Sequence, residues 1–112
     1  MAKEGYHIAA LDIGRNVGYP TYAMGSNDDL KSLGTLCEVH GVQYLPLVAD
    51  VSQAVEVEAA VNMLMAQWGR VDVLFNNAGV SVFGPTDEAT YADYDWIMGV
   101  NFGGVVNGLV SF

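Results

Sequence analysis

Two kinds of hydrophobic pattern alternate along the chain. Residues 6–11 (YHIAAL), 42–49 (VQYLPLVA) and 71–75 (VDVLF) are short apolar runs, each closed by an acid or an amide: Asp12, Asp50 and the pair Asn76-Asn77. Such runs read as buried strands. Pro46 cannot donate to a ladder, which puts the second strand at or near a sheet edge. Between the runs the apolar period lengthens. Leu30, Leu33 and Cys37 recur at helical spacing behind Ser26 and Asp29, a capping-box pair, and Gly41 stops the run. Val57, Val61, Leu64, Met65 and Trp68 form one apolar face of a second helix, capped by Ser52 and ended by Gly69. Met63 and Met65 are expected to fill the core. Thr90 with Asp93 opens a third helix running towards Phe112. Residues 13–25, with Gly14, Gly18, Pro20 and Gly25, and residues 81–89, with Pro85, read as loops.

Strand, helix, strand, helix, strand, helix is the order of an α/β fold, with crossover connections, a parallel sheet and flanking helices. In such a sheet the carboxyl ends of the strands carry ligands. Asp12, Asp50 and the loop from Asn76 to Gly79 all fall on that edge. Asp12 suits both hydroxyls of a ribose and would repel a 2′-phosphate, which selects NAD over NADP; it equally suits capping a turn. Asp50 can bond an adenine edge while Val51 packs on the ring, or simply enter a helix. The Asn-Asn-Ala-Gly stretch serves a ligand loop or a ligand-free turn. Gly99, Gly103, Gly104 and Gly108 cost about 1 kcal/mol each in a helix, so something packs very close to this one.

Composition narrows the partners. The chain has 112 residues, 52% of them hydrophobic, enough for one domain with a core. Thirteen acids against four bases give a net charge of −9, which argues against nucleic acid and anionic membranes. Cys37 is the only cysteine, and with His7 and His40 scattered no spacing suggests a metal site. No run approaches the roughly 18 apolar residues of a membrane span, so a cytoplasmic protein is expected.

Four segments then resemble one family in order. AKEGYHIAALD is similar to the end of the first crossover helix and the second strand of the short-chain dehydrogenases/reductases, and ADVS to the third strand with its Asp-Val adenine contact. GRVDVLFNNAG matches the fourth strand and its NNAG motif almost letter for letter, and WIMGVNFGGVVNG resembles the following helix. The resemblance implies a partial Rossmann fold over residues 1–112 that lacks the first strand and the C-terminal half. It implies NAD as cofactor, held by Asp12, Ile13, Asp50, Val51, Asn76, Asn77, Ala78, Gly79 and Val100. Asn101 takes the position of the catalytic-tetrad asparagine, which in the family holds a water behind the active-site lysine. The parent reaction is hydride transfer between nicotinamide and a secondary alcohol or ketone. The insertion from Gly14 to about Asn27 resembles the subfamily of carveol dehydrogenases and mycofactocin-associated enzymes.

Departures from the family pattern matter as much. Gly14 and Gly18 imitate part of the glycine-rich pyrophosphate loop, but Pro20 stands where its third glycine belongs. No Tyr-x-x-x-Lys occurs, since Lys3 and Lys31 are the only lysines. The sequence is therefore expected to be an enzyme fragment inactive alone, or a non-catalytic adenosine-binding or assembly module. In the family sheet the first strand lies between the second and fourth. The gap is expected to close by rearranged pairing, by a strand from another copy or by a partner completing the sheet.

Overall fold

A computed structural model describes residues 1–15 and 25–112. Gly18 and Pro20, and with them most of the glycine-loop imitation and of the insertion, lie outside the described residues. The chain forms two compact units, Met1–Asp50 and Val51–Phe112.

In the first unit, strand β1 (Ile8–Asp12) pairs in parallel with strand β2 (Tyr44–Val48), with Ile8 opposite Tyr44 and Asp12 opposite Val48. Asp12 is thus the last rung of the ladder rather than the residue after it. The pairing continues at both ends, from Ile8 N–H to the Gln43 carbonyl and from Ala49 N–H to the Asp12 carbonyl, each 3.0 Å. Beyond Ile8, the ring Nδ1 of His7 accepts the Gln43 N–H at 3.1 Å. Pro46 sits in an edge strand, as its missing donor requires: among the described residues β2 pairs with β1 alone.

Helix α1 (Asn27–Val39) joins the two strands and packs on them. The expected capping box is present. Ser26 Oγ accepts the Asp29 N–H while the Asp29 carboxylate accepts from Ser26. These bonds, to the hydroxyl first and then to the backbone N–H, hold the Asp29 carboxyl below the usual carboxylate range. Leu30 and Cys37 face inwards and build the core with Val42, Leu47 and Ala49. Tyr44 closes this core by donating its hydroxyl to the Leu30 carbonyl at 2.7 Å, and burial pushes its phenol pKa up. Gly34 leaves room for the ring, because a Cβ there would lie 2.9 Å from Tyr44 Cδ1.

In the second unit, helix α2 (Ala54–Trp68) buries Val57, Ala60, Val61 and Leu64, and Gly69 ends it in the left-handed region at φ 71°. Two expectations fail here. The N-cap is Gln53, not Ser52, and it makes no side-chain cap bond. Met63 and Met65 do not fill the core, since both lie on the open side of the helix and are exposed.

The third helix is interrupted. Helix α3 (Tyr91–Met98) begins at Thr90 with its capping box to Asp93, and helix α4 (Gly104–Ser111) ends the chain. A π-helical segment, Gly99–Gly103, joins them. Helix α4 packs against α2.

Residues 71–75 do not form the buried strand that their composition predicts. They pair with nothing among the described residues, and Phe75 is 70% exposed. A strand exists only as one side of a ladder, and the described residues offer the run no second side. Residues 71–79 are all exposed, so their backbone groups can bond to water and need no internal partner.

Candidate functional site

Two strand ends, the loop after the unpaired run and the interrupted helix carry the residues the sequence singled out. In the first unit, Asp12 ends β1, and Asp50 lies two residues past the end of β2. Because the strands are parallel and adjacent, both acids emerge at the same, carboxyl edge of the sheet. The Asp12 carboxylate is oriented by the chain that follows it, where Oδ1 accepts the Gly14 N–H at 2.9 Å. Gly14 makes this turn at φ 61°, a conformation that favours glycine. Gly25 runs so close that an added Cβ would sit 2.5 Å from Asp12 Oδ1. Ile13 is half-buried between Asp12 and the turn.

In the second unit, the loop of Asn76, Asn77, Ala78 and Gly79 follows the unpaired run. It starts with a tight bend, in which Asn77 N–H donates to the Phe75 carbonyl at 3.0 Å. The π-helical segment lies beside the end of this loop. Asn101 Oδ1 accepts the Val80 N–H at 2.8 Å, and Asn101 Nδ2 donates to the Val80 carbonyl at 2.9 Å. One side-chain amide thus pairs with both backbone groups of Val80, much as a neighbouring strand residue would. Val100, on the same segment, is buried. π-Helical insertions occur often at functional sites, and this one carries the asparagine that the sequence marked.

The glycines of the last helix account for themselves. A Cβ at Gly104 would meet Val51 Cγ2 at 2.8 Å, and one at Gly108 would run into Asn76 Oδ1. Both positions are buried. The helix therefore lies almost in backbone contact with Val51 and Asn76, two residues marked for cofactor binding. Sequence reasoning missed one participant. Asn107 Nδ2 donates to the Val51 carbonyl at 2.8 Å in a part-buried setting. The available signal was a lone amide inside the apolar run VVNGLV, which a helix retains at some cost in propensity. Among the described residues, no cluster of His, Cys, Asp and Glu could hold a metal ion, and no helix is long and apolar enough to cross a membrane.

Known proteins share both the sequence and the shape. A C alpha-dehydrogenase of Sphingobium sp. strain SYK-6 is 39% identical over 85 residues, which is 75% of this chain and 26% of that protein. A short chain dehydrogenase from Mycobacterium paratuberculosis, solved bound to NAD, superposes with a TM-score of 0.90 at 29% identity. The match covers 98% of this chain and 41% of that one. Carveol dehydrogenase from Mycobacterium avium, in complex with NAD, gives a TM-score of 0.89 over 98% of this chain and 40% of its own. Its 24% identity speaks for the fold alone. The chain thus spans about a quarter of that curated relative and two-fifths of those structures. The family model for short chain dehydrogenase matches residues 1–112, the whole of the sequence. The strand-end acids, the Asn-Asn-Ala-Gly loop and the helix packed on it have a common origin: this chain belongs to the short-chain dehydrogenase family.

Proposed function

We propose that residues 1–112 are the adenosine-binding part of an NAD-dependent short-chain oxidoreductase. The complete reaction would move a hydride between nicotinamide and a secondary alcohol or ketone. The observation that carries this reading is the shared carboxyl edge of β1 and β2, which presents Asp12 and Asp50 together. The short chain dehydrogenase from Mycobacterium paratuberculosis, solved bound to NAD, supports the choice of cofactor.

The donor set fits an adenosine ribose. Asp12 offers a carboxylate already oriented by Gly14, in a cradle at Gly25 that a Cβ would fill. Ile13 would flank the ribose, Asp50 would accept from the adenine edge, and Val51 would pack on the ring. In the second unit, Asn76, Asn77, Ala78, Gly79 and Val100 would line the cofactor's path, with Asn101 holding the loop to the helix and a water of the proton relay. Bound nicotinamide supplies the hydride acceptor or donor. The chain's own residues would bind and orient, and its sequence holds no Tyr-x-x-x-Lys to pass a proton to a substrate oxygen. We therefore read the chain alone as non-catalytic, and, from the sequence of the insertion between Gly14 and about Asn27, its subfamily as that of the carveol dehydrogenases.

Calorimetry with NAD, NADP and AMP, together with an NADH-oxidation assay over a panel of ketones, tests the reading. Binding of AMP and of NAD in preference to NADP is expected, without turnover. Turnover by this chain alone refutes the non-catalytic reading, and failure of all three nucleotides to bind refutes the adenosine site. A second reading, an assembly module, is favoured by the exposed apolar run at residues 71–75. Self-association without nucleotide binding would select it.

A further inference from the structure

The second unit contains a part-buried side chain to backbone bond that joins positions 56 residues apart, from Asn107 Nδ2 to the Val51 carbonyl at 2.8 Å. Val51 is gripped twice by the same helix. Its carbonyl is held by Asn107, and its isopropyl group lies against Gly104, where a Cβ would come within 2.8 Å of Cγ2 and 3.1 Å of Cβ. One turn earlier, Gly99 lies beside Ser52, with a Cβ contact of 3.5 Å. The N-cap of α2, Gln53, makes no side-chain cap bond. An asparagine in the interior of an apolar helix carries a propensity cost, and burying its amide is tolerable only with a partner. Val51 is that partner.

A carbonyl held at this distance fixes the peptide plane between Val51 and Ser52, and with it the backbone angle that aims the Val51 side chain. We propose that Asn107 is a positioning residue for the purine: it sets the Val51 backbone so that Val51 meets an adenine in one fixed geometry. The inference rests on reading Asp50 and Val51 as the adenine contact. Asn107 touches no ligand itself and acts through Val51.

The test uses the full 112-residue chain with AMP as the probe and methyl and amide NMR as the readout. AMP is expected to shift the Val51 methyl resonances. Asn107→Leu, which keeps the branched shape and removes the donor, should weaken AMP about tenfold, the worth of one good hydrogen bond. Amide exchange should then rise at Ser52 and Gln53 while the α2 interior from Val57 to Leu64 stays protected. Asn107→Gln, which keeps an amide one methylene further out, should recover part of the affinity. Affinity is taken from folded-state resonances only, so partial unfolding does not count as weakened binding. Unchanged AMP affinity in Asn107→Leu overturns the positioning role and leaves the adenosine site standing. Exchange that rises equally along all of α2 makes Asn107 a general stability residue and also overturns the role. No AMP binding by the unsubstituted chain refutes the adenosine reading, and the inference falls with it.

Discussion

Gly103 and Gly104 are adjacent, both have right-handed helical angles, near −58° and −42° at the first and −59° and −40° at the second, and they should respond to alanine in opposite directions. Alanine gains about 1 kcal/mol over glycine in a helix interior. At Gly103 nothing opposes that gain, since the nearest neighbour of an added Cβ is the Met98 carbonyl oxygen at an ordinary 3.7 Å. At Gly104 the new methyl would lie 2.8 Å from Val51 Cγ2 and 3.1 Å from its Cβ. Carbon atoms prefer about 3.5 to 4.0 Å, so the overlap is roughly 0.7 Å. Val51 cannot easily yield. Branching at Cβ stiffens its rotamer, and Asn107 holds its carbonyl. Overpacking of this kind costs about 1 to 3 kcal/mol. Gly103→Ala should therefore stabilise the chain by about 1 kcal/mol, and Gly104→Ala should destabilise it by about 1 kcal/mol after its own propensity gain. Urea unfolding followed by far-ultraviolet circular dichroism would show the two midpoints moving apart. Equal stabilisation by both substitutions would refute the close approach of α4 to Val51.

Acid should loosen the start of α1. The folded-state pKa of Asp29 is lowered, so its stabilising effect is complete above about pH 4 and is lost as pH falls through the folded value. Helicity of α1 in an NMR pH titration reads this out, and an identical acid response in Ser26→Ala would count against it. Tyr44→Phe removes the 2.7 Å bond to the Leu30 carbonyl and should cost about 1 kcal/mol; an unchanged thermal midpoint contradicts the role given to that hydroxyl. Asn101→Leu should raise amide exchange at Val80 on the order of tenfold while leaving α3 protected, and a Val80 amide that exchanges as before means the side-chain amide does not hold the loop.

What the sequence disclosed was local. Ser26 with Asp29 and Thr90 with Asp93 lie three residues apart, and a cap is decided within one turn, so both helix starts were readable. Gly69 ended α2 for an equally local reason, its positive φ. Pro46 announced an edge because it lacks a donor. The misreadings concern features that need a distant partner. Val71, Val73, Leu74 and Phe75 state a need for burial but not which chain supplies the ladder, so a strand was expected where none pairs. Ser52 looked like a cap, yet it lies beside Gly99, in a segment held through Val51 by α4, and the helix starts one residue later. The π-helical turn was invisible for the same reason: it appears where Asn101 reaches across 21 positions to Val80. For the candidate site, residue types and strand ends were legible, whereas Asn107 became visible only once the helix was laid against Val51.

The exposed run at residues 71–75 has a consequence for how the protein behaves in a tube. An apolar, β-prone stretch without a ladder is a rail on which a strand from another molecule can lie. Its guard is electrostatic. Arg70 donates to Asp72 through Nε at 3.0 Å and through Nη2, and this pair puts charge at the entrance of the run and inside it. The net charge of −9 adds repulsion between copies. Salt shortens the reach of both defences, to about 3 Å at 1 M, while leaving the hydrophobic attraction in place. Light scattering should therefore show molecules sticking together as either salt or protein concentration rises, and Phe75→Lys, a charge set into the rail, should keep them apart.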